Sequence, residues 1–195
     1  MIAKWSNTKL ENICEIEIGG TPSRGVPSYW DGNYCWVSIS DLNKLKNSIV
    51  THSKEKITQE GINASNVKPV NVGTVLLSFK LSLGKVAFAG VPLFTNEAIA
   101  SLPIKDKNKF DNHYLLYALQ SINWKEFGQK AVKGNCLNKE ILKEIYIKHP
   151  PIAEQKRIAA ICAKADRLRR TRRYALELSD TYLRSVFLEM FGEYL

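Results

Sequence analysis

The chain has 195 residues, 45% of them apolar, and a formal net charge of +9 with an isoelectric point near 9.4. That length allows one good domain and an appendage, no apolar run approaches the eighteen or so residues that span a bilayer, and residues 1–6 lack the apolar core of a signal peptide. Cys14, Cys35, Cys136 and Cys162 lie far apart with no CxxC pair, which argues against a disulfide framework or a zinc site and fits a cytoplasmic protein with reduced thiols.

In chain order, residues 5–13 open the chain with a short amphipathic segment in which Leu10 and Ile13 are apolar, and residues 15–18 alternate like a half-buried strand. Residues 19–25 hold Gly19, Gly20, Pro22 and Gly25 and read as a loop. Residues 34–40 are rich in β-formers, and residues 75–79 and 85–89 give two more strands separated by residues 80–84. Residues 110–120 have helical spacing, with Tyr114, Leu115, Ala118 and Leu119 on one face. A short helix over 138–144 precedes a strand over 145–148. Pro150 and Pro151 then break the chain before a helix of about forty residues, roughly 60 Å long. The expected fold is α+β: a mixed domain over residues 1–150, then a long C-terminal helix over 151–195.

Charge is distributed over both parts. Residues 1–150 carry 19 Lys+Arg against 13 Asp+Glu, and residues 151–195 carry 9 against 6, a pattern that suits a folded surface facing a polyanion. Three loops collect small, polar and basic side chains. The first, residues 19–36, holds Thr21, Ser23, Arg24 and Tyr29; the second, residues 78–85, holds Ser78, Lys80, Ser82 and Lys85. The third, residues 130–138, holds Lys130, Lys133 and Asn135, and Asn96 stands beside Glu97 between the second and the third. Lysine and arginine neutralise phosphates, while Asn, Ser and Thr hydrogen-bond phosphates or base edges. The bland reading of each loop is a solvated surface, and Tyr29, Trp30 and Trp36 read more readily as core anchors than as base contacts.

Catalytic patterns do not emerge. His52, His113 and His149 have no partner at metal-ligand spacing, and the chain contains no P-loop, GxGxxG, HExxH or GxSxG. No cofactor is expected. A nucleophile at Cys35 or Cys136 is the enzymatic alternative, and a coiled-coil scaffold with weak, non-specific nucleic-acid binding is the interaction alternative.

A helix this long asks for a partner helix along its apolar stripe. Counting in a 3–4 alternation from Ile158 gives Ile161, Ala165 and Leu168, after which Arg172 and Ser179 interrupt the seam before Val186. A second stripe, Leu176, Leu183 and Met190, takes over in the C-terminal half. A drifting stripe fits antiparallel two-helix packing, as in a twofold homodimer, better than a parallel zipper. Between residues 164 and 173 the helix holds Arg169, Arg170 and four more basic residues against Asp166, a run suited to phosphates or to an acidic protein partner.

The ordered series Leu10-Glu11-Asn12-Ile13, Gly19-Gly20-Thr21-Pro22-Ser23-Arg24, Tyr29-Trp30-Asp31-Gly32 and Trp36-Val37-Ser38-Ile39-Ser40-Asp41-Leu42 resembles the opening of a target-recognition domain. It continues through Leu76-Leu77-Ser78-Phe79, Gly84-Lys85-Val86-Ala87, Phe94-Thr95-Asn96-Glu97-Ala98 and Lys133-Gly134-Asn135 to Pro150-Pro151-Ile152-Ala153-Glu154-Gln155. Together these resemble the DNA-specificity subunit of type I restriction–modification systems over essentially the whole chain. The resemblance implies a non-catalytic subunit that reads half of a split site in double-stranded DNA, with the helix as an antiparallel coiled-coil spacer. It also implies docking to methyltransferase subunits that methylate adenine, with a restriction/translocase subunit able to join. Members of the family usually hold two recognition domains and two helices, whereas this chain has one of each, so a bipartite site calls for two copies or a second half. Residues 186–192 resemble the junction before a second domain in longer members.

Overall fold

The computed structural model describes residues 5–124, 126 and 137–192. Packing divides the chain into two units, Met1–Lys156 and Arg157–Leu195. In the first, β1 (Ser6–Lys9) leads into α1 (Leu10–Ile13) and β2 (Glu17–Ile18), followed by β3 (Trp30–Val37), α2 (Ile39–Lys44), β4 (Ile49–Val50), β5 (Glu55–Ile57) and α3 (Gln59–Asn63). Then come β6 (Val75–Ser78), β7 (Val86–Ala89), β8 (Leu93–Thr95), β9 (Ile99–Leu102), α4 (Asn112–Gln120), α5 (Lys139–Lys143) and β10 (Tyr146–His149). The long helix α6 (Ile152–Phe191) starts in this unit and makes up nearly all of the second.

The strands form a five-stranded sheet ordered β2-β9-β6-β7-β4, a three-stranded sheet ordered β5-β3-β8, and an antiparallel β1–β10 pair. Val75, Leu76 and Leu77 of β6 are fully buried, as the continuous apolar run of a central strand requires. Val37, Leu42, Val50, Leu76, Leu93 and Ile99 belong to one core cluster that joins the two larger sheets, and Trp36, Ile57, Val67 and Phe94 form a second. β3 bulges against β5: Ile57 faces both Trp30 and Tyr34, and Asp31 takes a φ of 60° within the bulge. β3 and β8 run parallel, Cys35 opposite Leu93 and Val37 opposite Thr95, so their C-terminal ends lie side by side.

Several boundaries differ from the sequence pattern for identifiable reasons. The strand expected to reach Ser40 stops at Val37 because the Ser38 amide and hydroxyl both donate to Asp41 Oδ2 at 2.8 Å, a capping box that starts α2. Asp111 and Asn138 cap α4 and α5 in the same spirit, accepting from Tyr114 N at 2.9 Å and Ile141 N at 2.8 Å. β4, β5, β8 and α3 have two to five residues each, too few for a periodic signal, and pairing decides them.

The start of α6 is tied into the first unit by Gln155, which is fully buried. Its Oε1 accepts from Asp111 N at 3.1 Å, and its Nε2 donates to Lys109 O at 3.0 Å and Pro150 O at 2.9 Å. The amide thus satisfies backbone groups of the α4 entry and the Pro-Pro turn together, which is why an uncharged residue with both donor and acceptor stands there. In the second unit, Leu168, Leu176, Leu183 and Met190 of α6 are all more than half exposed.

Cys14 is buried and donates its thiol to Leu10 O at 3.4 Å, and burial pushes its pKa up to about 12. The folded chain should therefore leave Cys14 unmodified by iodoacetamide at pH 8, with labelling only after denaturation, read by mass spectrometry. Because the thiol ionises more readily in the unfolded chain, it stabilises the fold below about pH 9, and that contribution is lost as pH rises toward about 12.

Candidate nucleic-acid interface

The loops before β3 and after β6 meet around the C-terminal ends of β3 and β8. Gly20 N donates to Thr95 O at 2.8 Å, and Trp36 Nε1 donates to Gly20 O at 2.9 Å, which seats residues 19–24 on the sheet end. The approach is so close that a Cβ on Gly19 would lie 2.1 Å from Thr95 O, a contact only glycine permits. From this seat Thr21 donates its hydroxyl to the Glu97 carboxylate. Thr21 and Ser23 are exposed, and Tyr29 is half-buried.

Arg24 is held by more than solvent. Its guanidinium makes a two-pronged pair with Glu55, the second contact being Nη2 to Oε2 at 3.1 Å, and lies 3.9 Å from the Trp30 ring centroid and 5.0 Å from that of Trp36. The two indoles meet edge to face at 5.1 Å, and Trp30 Nε1 donates to Ser23 O at 3.1 Å. Trp36 is deeply buried and Trp30 partly so, matching their expected role as anchors. The hydrogen bond from Arg24 holds the Glu55 carboxyl below its ordinary range, and the Thr21 hydroxyl, with Lys80 and Arg24 nearby, does the same for Glu97. Both carboxylates support the folded loops above their unfolded pKa and lose that contribution as pH falls through the lowered value.

The second loop is closed by its own bonds. Ser78 is fully buried: its hydroxyl donates to Ser82 O and accepts from Lys85 N at 3.0 Å, while its backbone O accepts from Gly84 N at 2.9 Å. Ser78, expected to touch a ligand, instead shapes the loop from beneath and presents no hydroxyl to solvent. Ser82 Oγ accepts from Asn43 Nδ2 at 3.1 Å, joining the loop to α2. Lys80 is half-buried with Nζ 5.5 Å from the Phe79 ring centroid, and Lys85 is exposed. Asn96 donates its backbone N–H to Val37 O at 3.0 Å and accepts from Ala98 N through Oδ1 at 3.2 Å, which places it at the same sheet end.

Lys130, Lys133 and Asn135 lie outside the described residues. Beside the second loop, Leu137 N donates to Phe79 O at 2.9 Å. On α6, Arg169 pairs with Asp166 at 2.6 Å, Arg170 is exposed, Ile161 and Ala165 are exposed, and Ile158 and Val186 are half-buried. No group of three or more metal-ligating side chains occurs among the described residues. The sequence does not single out Glu55 and, although Glu97 stands in the quoted series, gives it no role, because only strand pairing brings the two carboxylates to Arg24 and Thr21.

The family described as type I restriction modification DNA specificity domain matches residues 2–178. The chain is 28% identical over 191 residues to the type I restriction enzyme MjaIX specificity subunit of Methanocaldococcus jannaschii, covering 96% of this chain and 43% of that one. It is 31% identical over 200 residues to the putative type I restriction enzyme MjaX specificity subunit of the same organism, covering 96% and 45%. In fold it is similar to the HsdS subunit from Thermoanaerobacter tengcongensis, with a TM-score of 0.64 at 20% identity, over 88% of this chain and 39% of that one. The chain spans less than half the length of each of these relatives.

Proposed function

Because the chain belongs to the type I restriction–modification DNA specificity family, we propose that it reads one half of a split site in double-stranded DNA and uses its long helix as the spacer to a second reading domain. The observation that carries this is the meeting of Thr21, Arg24, Lys80, Ser82 and Asn96 around one end of the β3–β8 pair, in a chain with a net charge of +9. The cations there neutralise phosphates, and the hydroxyls and amide supply short donors and acceptors for base edges. In this reading the chain supplies sequence and spacing and no catalytic group. A methyltransferase subunit docks to it and methylates adenine, and a restriction/translocase subunit joins that complex in the cytoplasm. No helix among the described residues is long and apolar enough to cross a membrane.

The second reading domain is that of another copy, paired through α6 in antiparallel orientation. Charge supports the direction. Residues 157–173 carry seven basic residues and one acid, whereas residues 174–191 carry one basic residue and three acids. Antiparallel pairing lays the basic half of each helix on the acidic half of its partner, while parallel pairing stacks seven cations on seven. Mapping methylated adenines in host DNA with and without this chain tests the proposal. A split recognition motif should lose its methylation when the chain is removed. An unchanged methylation map would overturn the reading.

A further inference from the structure

The loop between β6 and β7 carries a side chain that neither charge nor polarity singles out. Leu81, at its tip, is 74% exposed, more than any other large apolar residue among those described. Its backbone is left-handed, with φ at 64°. An L-residue with a branched side chain is disfavoured in that conformation, whereas glycine or asparagine stands there readily. The same loop uses glycine at its other left-handed position, Gly84, where φ is 76°. At 81 the chain keeps a leucine and exposes it.

The loop is not free to fold the side chain away. Ser78 fastens both Ser82 O and Lys85 N, Gly84 N donates to Ser78 O, and Asn43 holds Ser82 from α2. An apolar group is thus held outward on a fixed loop, with Lys80 before it and Lys85 four residues on. Unfavourable backbone geometry retained at an exposed position points to a function for the side chain. On a surface that meets duplex DNA, one apolar group on the base edges can receive it: the thymine C5-methyl, which lies in the major groove.

We propose that Leu81 is a specificity-determining residue that seats its isobutyl group on a thymine C5-methyl in the major groove of the bound half-site, with Lys80 and Lys85 on the flanking phosphates. This rests on the DNA-reading assignment made above. It is tested with the purified full chain and a duplex that it selects from a randomised pool. Replacing thymines of that duplex with uracil one at a time should weaken binding about three- to tenfold at one position. Leu81→Ala should lose a similar factor on the thymine duplex and bind the thymine and uracil forms equally, with the salt dependence unchanged because no cation is removed.

A second variant separates recognition from folding. Leu81→Asn should raise the melting temperature by roughly 2–4 °C while weakening binding, since it relieves the backbone and removes the apolar contact. A residue kept for stability would lower it. The contact is overturned if the selected half-site contains no thymine, if every uracil duplex binds like its parent, or if Leu81→Ala keeps the thymine preference. Failure of the chain to select any sequence would instead sink the DNA-reading assignment itself.

Discussion

Trp36→Ala is expected to destabilise the first unit by about 3–5 kcal/mol, the cost of emptying a buried tryptophan site in a core that relaxes only partly. Trp36 is 2% exposed and packs with Ile57, Val67 and Phe94 in one core cluster. It also supports the interface, because its indole nitrogen holds Gly20 O and its ring faces Trp30 and Arg24. A domain of this size has about 5–15 kcal/mol in all, so the loss is a large part of the total. Trp36→Phe keeps most of the ring but leaves Gly20 O without its donor, and should cost about 1–3 kcal/mol. Arg24→Ala, by contrast, removes an exposed ion pair worth about 0–1 kcal/mol and should barely move stability. Urea unfolding followed by tryptophan-independent circular dichroism ranks the three. A loss below about 1 kcal/mol for Trp36→Ala would show that the indole is not a core anchor.

Leu176→Glu combined with Leu183→Glu is expected to abolish the proposed antiparallel pair and leave a monomer. Both leucines lie on the second apolar stripe of α6 and are 57% and 65% exposed in the single chain. Within the monomer these substitutions are surface changes and should alter the first unit's stability by less than about 0.5 kcal/mol. In a twofold pair each leucine occurs twice, and burying one contributes roughly 1.5–3 kcal/mol. Four together are worth on the order of 6–12 kcal/mol, more than four orders of magnitude in the dissociation constant. Sedimentation at micromolar concentration reads the change directly. Salt then reports direction: at 1 M, where the screening length is about 3 Å, an antiparallel pair loses attraction between its halves, while a parallel pair is relieved of repulsion. A wild-type chain that sediments as a monomer, or a dimer tightened by salt, would contradict the antiparallel pair.

Much of the fold is legible in the residues taken alone. The Pro150-Pro151 break, the helix after it and the strands around 75–79 and 85–89 rest on local chemistry: proline geometry, 3.6-residue spacing and runs of β-formers. The cap at Ser38 is less legible, because it closes a run of β-formers and only its bond to Asp41 Oδ2 makes it the start of α2. Very short strands such as Ile49–Val50 are not, because two residues have no period and owe their conformation to Phe88 and Ala89 across the sheet.

For the interface, sequence alone determined which side chains are present: basic, hydroxyl and amide groups in three loops, and an ordered series of motifs specific enough to indicate the family. Tertiary structure decided what each does. It buried Ser78 beneath its loop, set Glu55 on Arg24 and Glu97 on Thr21, and left Leu81 at an exposed tip. The physical reason is range. Propensity and periodicity act over a few residues, whereas Arg24 and Glu55 are 31 positions apart and Thr21 and Glu97 are 76, so only strand pairing brings them within hydrogen-bonding distance.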